Sequence, residues 1–369
     1  MIRVLHFADI VNRNDFIHTV LEFCDVSEFR MSAATLVNRG TLNHDPSGIA
    51  VSNLNAPGSL TFPWAVLALR RLLERERIDI LHAHHFFPGL IATAAVARTR
   101  AVLVIGRHYS DAVYRLSHGV RRRAYLWLEM LCNRAAARIV VPAWGVERVL
   151  LAQGVSGAKI VRIPYGFAFE RYQPPADITG ALSLWGQDPG LRLATFARLH
   201  PEKGHHHLVE ALALLTQKGL RVTWLVAGDG PARSALEKLV REKGLAERVV
   251  FAGWRTDVVG LMKAAQVIVQ PTLHEAFSQV MVEAMAAERP LVISDVSGVR
   301  DVVRHAETGW IVPPGDPPAL AAAIEHLRDE RVAGTMAARA RVDVRQRFDA
   351  RTIAPRFEAL YRQLAGALA

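Results

Sequence analysis

Glu275 and Glu283 stand eight residues apart in HEAFSQVMVE, one at the start of an apolar run and one inside it. The run follows VIVQPT, a β-branched stretch that predicts a strand, so LHEAFS reads as a loop and QVMVEAMAAE as an apolar-striped helix. Free amides at such a helix start, around Ala276 to Gln279, favour an anion, and Glu275 beside them can accept hydrogen bonds from hydroxyls. A carboxylate at Glu283 is costly among apolar neighbours unless it meets a donor, and a ribose diol is a suitable bidentate partner. The plainer alternatives are a solvated Glu275 and a Glu283 paired with a nearby arginine. Upstream, FARLHPEKG carries Arg198 and Lys203 on a loop leaving a strand, where a guanidinium fork and an ammonium point charge suit a diphosphate. A surface cation is the alternative for either one. The Gly228-Asp229-Gly230 turn joins a strand to a helix without the spacing of a dinucleotide fingerprint.

Histidines form a second set. His82 and His84 alternate onto one face of IDILHAH, and His205, His206 and His207 open a helix. Neither set comes with cysteine or carboxylate partners at ligand spacing, so no metal site is expected. His82 or His84 is expected at a site edge or in the core, and the triplet as a solvated helix start.

The elements that must hold these residues alternate along the whole chain. IRVLHFA, MSAATLV, IDILHAH, AVLVIGRH, ARIVVPA and KIVRIPY predict six strands with helices between them, an α/β unit on a largely parallel sheet. The series restarts with LRLATFARL, VTWLVAGD, RVVFAGW, VIVQPT, PLVISD and GWIVPP. This predicts two doubly wound, Rossmann-like domains, residues 1–172 and 191–353, joined by a Pro-rich linker at 173–190, with a terminal helix over 354–369 packing back on the first domain. Ligands of such sheets bind at the carboxyl ends of the strands, so the site is expected in a cleft between the domains.

Composition excludes several classes. The chain of 369 residues is 51% hydrophobic, enough for a sizeable core, yet Arg98 and Arg100 interrupt its most apolar tract, so no membrane-spanning helix is expected. MIRVLHFADI reads as a first strand and not as a signal peptide, and the two distant cysteines, Cys24 and Cys132, read as reduced core residues; a cytoplasmic protein is expected. Residues 1–175 hold 21 Lys+Arg against 13 Asp+Glu, a net of +8, which draws anionic partners. Arg121, Arg122 and Arg123 before AYLWLEML read either as a solvated helix start or as a basic edge for peripheral contact with an anionic inner membrane face. Aromatic and basic residues do not interleave as in nucleic-acid binders, and no nucleic-acid partner is expected.

The order of Arg198 and Lys203, the GDG turn, FAGW, the paired glutamates, SGVRDVV and TGWIVPPGDPPAL resembles the retaining glycosyltransferases of family 4, which have the GT-B fold. The likeness runs from about Leu191 to Arg328 and is looser in the first half. It implies a hexosyltransferase that moves a sugar from a UDP- or GDP-type donor to a glycan or lipid-linked acceptor without any further cofactor. On the donor side it implies that Arg198 and Lys203 hold the diphosphate, Glu275 the sugar hydroxyls and Glu283 the ribose. Phe277, Ser278 and Gln279 would touch sugar and phosphate through their amides, Trp254 and Arg255 would lie at the base, and Gly228 would shape the donor side. His108 in VIGRHYSD matches the family's first-domain active-site histidine. Asn12, Arg13 and Asn14 stand where the family usually has a Gly-Gly turn, on the acceptor and phosphate side with His84. Ala276 replaces the usual glycine of the paired-glutamate loop, and Tyr165 and Ala168 replace a common Asn and Asp.

Transfer builds positive charge at the anomeric carbon and negative charge on the departing diphosphate, which fixed cations and helix amides stabilise. No Asp-x-Asp occurs in the sequence, so metal independence is expected. The resemblance further implies same-face attack, with the leaving phosphate taking the acceptor proton. A sugar-nucleotide epimerase or phosphorylase of the same fold is disfavoured by the paired glutamates. A nicotinamide dehydrogenase lacks its Gly-rich turn here, and a non-enzymatic anionic-lipid binder rests on charge alone.

Overall fold

The computed structural model describes residues 1–11, 16–37, 49–109, 119–172, 178–187 and 190–367. They form two compact units, Met1–Ala168 with Phe348–Ala369, and Phe169–Arg347.

In the first unit the strands are β1 (Ile2–Ala8), β2 (Phe29–Thr35), β3 (Ala50–Asn53), β4 (Ile80–His84), β5 (Val102–Gly106), β6 (Arg138–Val141) and β7 (Ile160–Arg162). They pair in parallel in the order β3-β2-β1-β4-β5-β6-β7. The second unit has β8 (Leu191–Phe196), β9 (Val222–Ala227), β10 (Val249–Gly253), β11 (Val267–Gln270), β12 (Leu291–Ser294) and β13 (Trp310–Val312), in the order β10-β9-β8-β11-β12-β13, also parallel. β4 and β9 are buried along their whole length, as expected for strands covered by helices on both faces. In each sheet the strand order reverses beside the first strand, between β1 and β4 and between β8 and β11. Loops leaving neighbouring strands there depart to opposite faces and open a crevice.

Four sequence expectations need correction. β3 was not foreseen: AVSN is four residues long and shows no apolar alternation. The boundary expected after residue 172 falls at Ala168, because Phe169 is buried in the second unit and Tyr172 bonds to a helix there. The linker expected over 173–190 is partly folded. Thr179–Ser183 is a helix, and the buried Trp185 donates its indole N–H to the Leu193 carbonyl at 3.1 Å. The chain also rejoins the first unit at Phe348, ahead of the expected limit of 353.

The final helix, Ala350–Gly366, begins where the Asp349 carboxylate accepts from the Arg351 amide. Its Ile353, Ala354, Phe357, Leu360, Tyr361 and Leu364 pack with Val4, Phe29, Ile80, Val104 and Val140 of the first sheet. Cys24 and Cys132 are both buried and unbridged. Among the described residues no helix is long and apolar enough to cross a membrane. Truncating Phe357 to alanine leaves a cavity under the first sheet and is expected to cost this unit about 3–5 kcal/mol, read as a lower unfolding midpoint in urea.

Candidate active site

At the reversal of the second sheet, β8 and β11 release the two loops that carry the charged residues. Gly204 closes the first loop at φ +66°, and a Cβ there would meet the Pro271 carbonyl oxygen at 2.0 Å. The Leu273 amide donates to the Glu202 carbonyl at 2.8 Å, so the two loops lie against each other. This contact brings Lys203 to Glu275, 72 residues away, and the ammonium donates to the carboxylate with both side chains half-buried. Glu275 is therefore paired and not merely solvated. Arg198 stands exposed at the end of β8 on the same edge. Gly228, at φ +148°, lies under Ala197, whose carbonyl oxygen would sit 1.9 Å from a Cβ at that position. The GDG turn thus packs under the cation loop, a structural reason for its glycines. Gly315, from the GDPPAL stretch, adjoins Leu273 and His207 on this edge as well.

The helix Gln279–Ala286 starts behind Glu275. Ser278 occupies its N-cap position with extended backbone, and its side chain makes no capping bond. Ala276, Phe277 and Ser278 are buried, while Met281, Val282, Ala284, Met285 and Ala286 anchor the helix in the core. Glu283 projects from the remaining face, where Tyr172 donates its hydroxyl at 3.1 Å. No arginine pairs with it among the described residues. Burial raises the Glu283 pKa, and the tyrosine bond offsets this only in part. The same burial, with the neighbouring carboxylate, pushes the Tyr172 pKa up. Beyond β10, Trp254 is 77% exposed, and Arg255 forms a fork with Asp257 at 2.7 and 2.8 Å.

In the first unit the structure joins residues that sequence spacing left apart. His6 and His82 are register partners on β1 and β4, and His84 lies two residues further along the same face. His84 binds His6 at 2.9 Å and His108 at 2.9 Å, and His108 binds the Tyr165 hydroxyl at 2.9 Å. Burial lowers the pKa of His6 to about 3 and holds those of His82, His84 and His108 well below the usual value. All four are neutral at physiological pH. The expectation that His84 faces an acceptor is corrected, since its side chain is 2% exposed and both ring nitrogens are engaged. His6 was missed because a strand-to-strand register is invisible in local spacing. His6, His82 and His84 are also the one trio of potential metal ligands with atoms within 4.8 Å among the described residues. Their nitrogens are largely spent on one another and on tyrosines. His205, expected in solvent, is buried and stacks on Trp224 at 6.2 Å, with its pKa lowered by burial to about 4. Asn12, Arg13 and Asn14 lie outside the described residues.

Comparison with known proteins places the fold in a family. Residues 28–171 match Glycosyltransferase Family 4, and residues 190–330 match Glycosyl transferases group 1. An alpha-D-kanosaminyltransferase of Streptomyces kanamyceticus is 28% identical over 291 residues, 74% of each chain. A UDP-Gal:alpha-D-GlcNAc-diphosphoundecaprenol alpha-1,3-galactosyltransferase of Escherichia coli is 23% identical over 74% of this chain and 72% of its own. The crystal structure of Anabaena HepE in complex with UDP superposes with a TM-score of 0.84 at 23% identity, covering 98% of this chain and 100% of that one. With two parallel-sheet units of the GT-B architecture, family matches in both and the paired glutamates at the reversal of the second sheet, the chain belongs to the family 4 glycosyltransferases.

Proposed function

We propose that this glycosyltransferase moves a hexose from a uridine-diphosphate donor, with retention and without a metal ion, to a glycan or lipid-linked acceptor. The observation that carries the reading is the meeting of Lys203 and Glu275 beside the uncapped start of the helix Gln279–Ala286. Arg198, Lys203 and the first-turn amides suit the diphosphate that must accept charge as the glycosidic bond breaks. Glu275 would take sugar hydroxyls and Glu283 the ribose, exchanging or adding to the Tyr172 bond. UDP is the nucleotide bound in the HepE complex, which supports uridine as the base.

A lipid-linked acceptor is supported by the diphosphoundecaprenol-linked substrate of the E. coli relative and by the helix Val120–Ala135, where Arg122, Arg123 and Trp127 are exposed. The side chain of Arg121 lies outside the described residues. Fixed cations at the diphosphate make a bridging metal unnecessary, and the acceptor proton would pass to the leaving phosphate oxygen on the same face.

UDP is expected to raise the melting temperature more than GDP, ADP or NAD, with a loss of most of the gain in Glu283→Ala. A ligand at about 100 times its Kd adds roughly 2.7 kcal/mol, which a thermal scan resolves. A shift with NAD alone would reopen the dehydrogenase reading. In a turnover assay, Lys203→Ala should lower kcat by about 10²–10³, whereas EDTA should leave the wild-type rate unchanged; restoration of an EDTA-lost rate by a divalent ion would refute metal independence.

Glu283 also predicts a pH dependence of the ligand-free protein. Its folded pKa lies above that of the unfolded chain, so protonation favours the fold and stability is lost as pH rises from the unfolded to the folded value. Glu283→Gln should therefore raise the melting temperature at pH 7, with the gain vanishing below about pH 4.

A further inference from the structure

Six side chains of the first unit form one continuous hydrogen-bonded line. From Tyr165 it runs to His108 Nδ1 (2.9 Å), from His108 Nε2 to His84 Nδ1 (2.9 Å), and from His84 Nε2 to His6 Nδ1 (2.9 Å). It continues from His6 Nε2 to the Tyr361 hydroxyl (3.2 Å) and from there to His82 Nδ1 (2.8 Å). Gly106 makes room for it. A Cβ there would lie 2.5 Å from His108 Nε2, 2.6 Å from His84 Nδ1 and 3.2 Å from His82 Nε2.

A neutral imidazole carries one N–H, so each ring passes on the direction of the bond it makes, and the Tyr361 hydroxyl has one proton to give. Two arrangements make every bond and also give the Tyr361 proton an acceptor in the line. If Tyr165 donates to His108, all four histidines carry their proton on Nε2, and the line ends in a His82 Nε2–H. That atom is buried and has no hydrogen-bond partner among the described residues. If His82 donates to Tyr361 instead, all four carry the proton on Nδ1, and the line ends in a lone pair on His82 Nε2, beside the space that a Cβ at residue 106 would fill. A buried donor without an acceptor is the costlier end, and the network therefore selects the second polarity.

Resting on the transferase reading of His108, we infer that the line is a one-way relay in which His6, His82, His84 and His108 hold Nδ1–H and Tyr361 and His82 act as remote positioning residues. His108 donates to the Tyr165 oxygen and accepts from His84, so neither ring nitrogen is open to act as a base. Its part in transfer is played by its fixed ring and backbone. Tyr165 receives that bond and must give its own proton to another acceptor, at the carboxyl edge of the first sheet where β7 ends. It stands where the family commonly has an asparagine, and it stacks on Phe16 at 4.4 Å, which also packs on His108 at 4.2 Å. Reversing the relay would turn the Tyr165 hydroxyl inward and withdraw that donor.

The test is a long-range nitrogen–proton spectrum of the full-length protein with ¹⁵N-labelled histidine, taken at neutral pH. Protonated Nδ1 and bare Nε2 are expected for the four buried rings. Nε2–H on them would overturn the relay polarity, and so would stoichiometric zinc in the purified protein with metal-shifted imidazole signals. The spectrum needs no turnover, so failure of the transferase reading is seen separately in the activity assay. In that assay Tyr361→Phe and Tyr165→Phe should each lower kcat by about tenfold, the scale of one buried hydrogen bond, with the donor KM unchanged. The double variant should be no slower than either single one. Additive losses, or a switch of His6, His84 and His108 to Nε2–H in Tyr361→Phe, would overturn the coupling. If Tyr361→Phe does not fold, the wild-type spectrum still decides the polarity.

Discussion

A backbone carbonyl occupies the place of a side chain at three turns of the second unit, and the charged edge depends on those contacts. The Ala197 oxygen would lie 1.9 Å from a Cβ at Gly228, the Leu199 oxygen 2.5 Å from one at Gly230, and the Pro271 oxygen 2.0 Å from one at Gly204. All three glycines are at positive φ, so both the space and the conformation require glycine. The obstacle in each case is main chain, which cannot rotate aside as a flexible side chain can. Loops leaving β8, β9 and β11 are thereby pressed into one layer. Lys203 reaches Glu275 because that layer is thin, and the GDG turn, useless as a dinucleotide fingerprint, explains itself as a packing device.

The two units handle buried polarity in different ways. Near solvent the second pairs Lys203 with Glu275 and Arg255 with Asp257, and it leaves the desolvated Glu283 to the Tyr172 hydroxyl. The first buries an Arg107–Glu129 ion pair at 2.8 Å and, beside it, a cluster of imidazoles and tyrosines in which desolvation forces the neutral form and hydrogen bonds alone remain to be satisfied. A neutral network keeps direction without charge. Such a line is rigid because a change at any one member must be answered by all the others, which suits a residue that has to be held and not titrated.

Legibility followed the range of the interactions. Twelve of the strands could be read because β-branched runs between helical stripes are local signals, whereas AVSN had too little length to signal at all. The charged residues of the second unit were legible because their motifs are compact, though the Lys203–Glu275 pair needed the docking of two loops to become a contact. His82 and His84 were correctly seen to share a face. Their partner His6 is 76 residues upstream of His82 and meets it only through the parallel register of β1 and β4. His205 was misread for the same reason: its neighbours in sequence are histidines at a helix start, but its neighbour in space is Trp224.

The paired glutamates that resemble one motif are physically unlike each other. Glu275 already has its counter-ion, so the free protein incurs little cost for its charge. Among the described residues Glu283 has a single neutral donor, Tyr172, and burial raises its pKa. A half-buried, desolvated carboxylate with unused acceptor capacity destabilises the ligand-free fold, and two converging hydroxyls would relieve it more fully than one phenol does. On the proposed ribose role selectivity would follow from that imbalance, because a ligand lacking the diol would leave the same carboxylate unrelieved at a cost the free protein already bears. Tyr172 sits four residues beyond Ala168, on the first segment of the second unit, so the group that tempers Glu283 is set by where the chain enters that unit. If Glu283 takes the ribose as proposed, that contact is tied to the entry of the chain into the second unit, and a change in the entry segment would alter donor affinity without touching either glutamate.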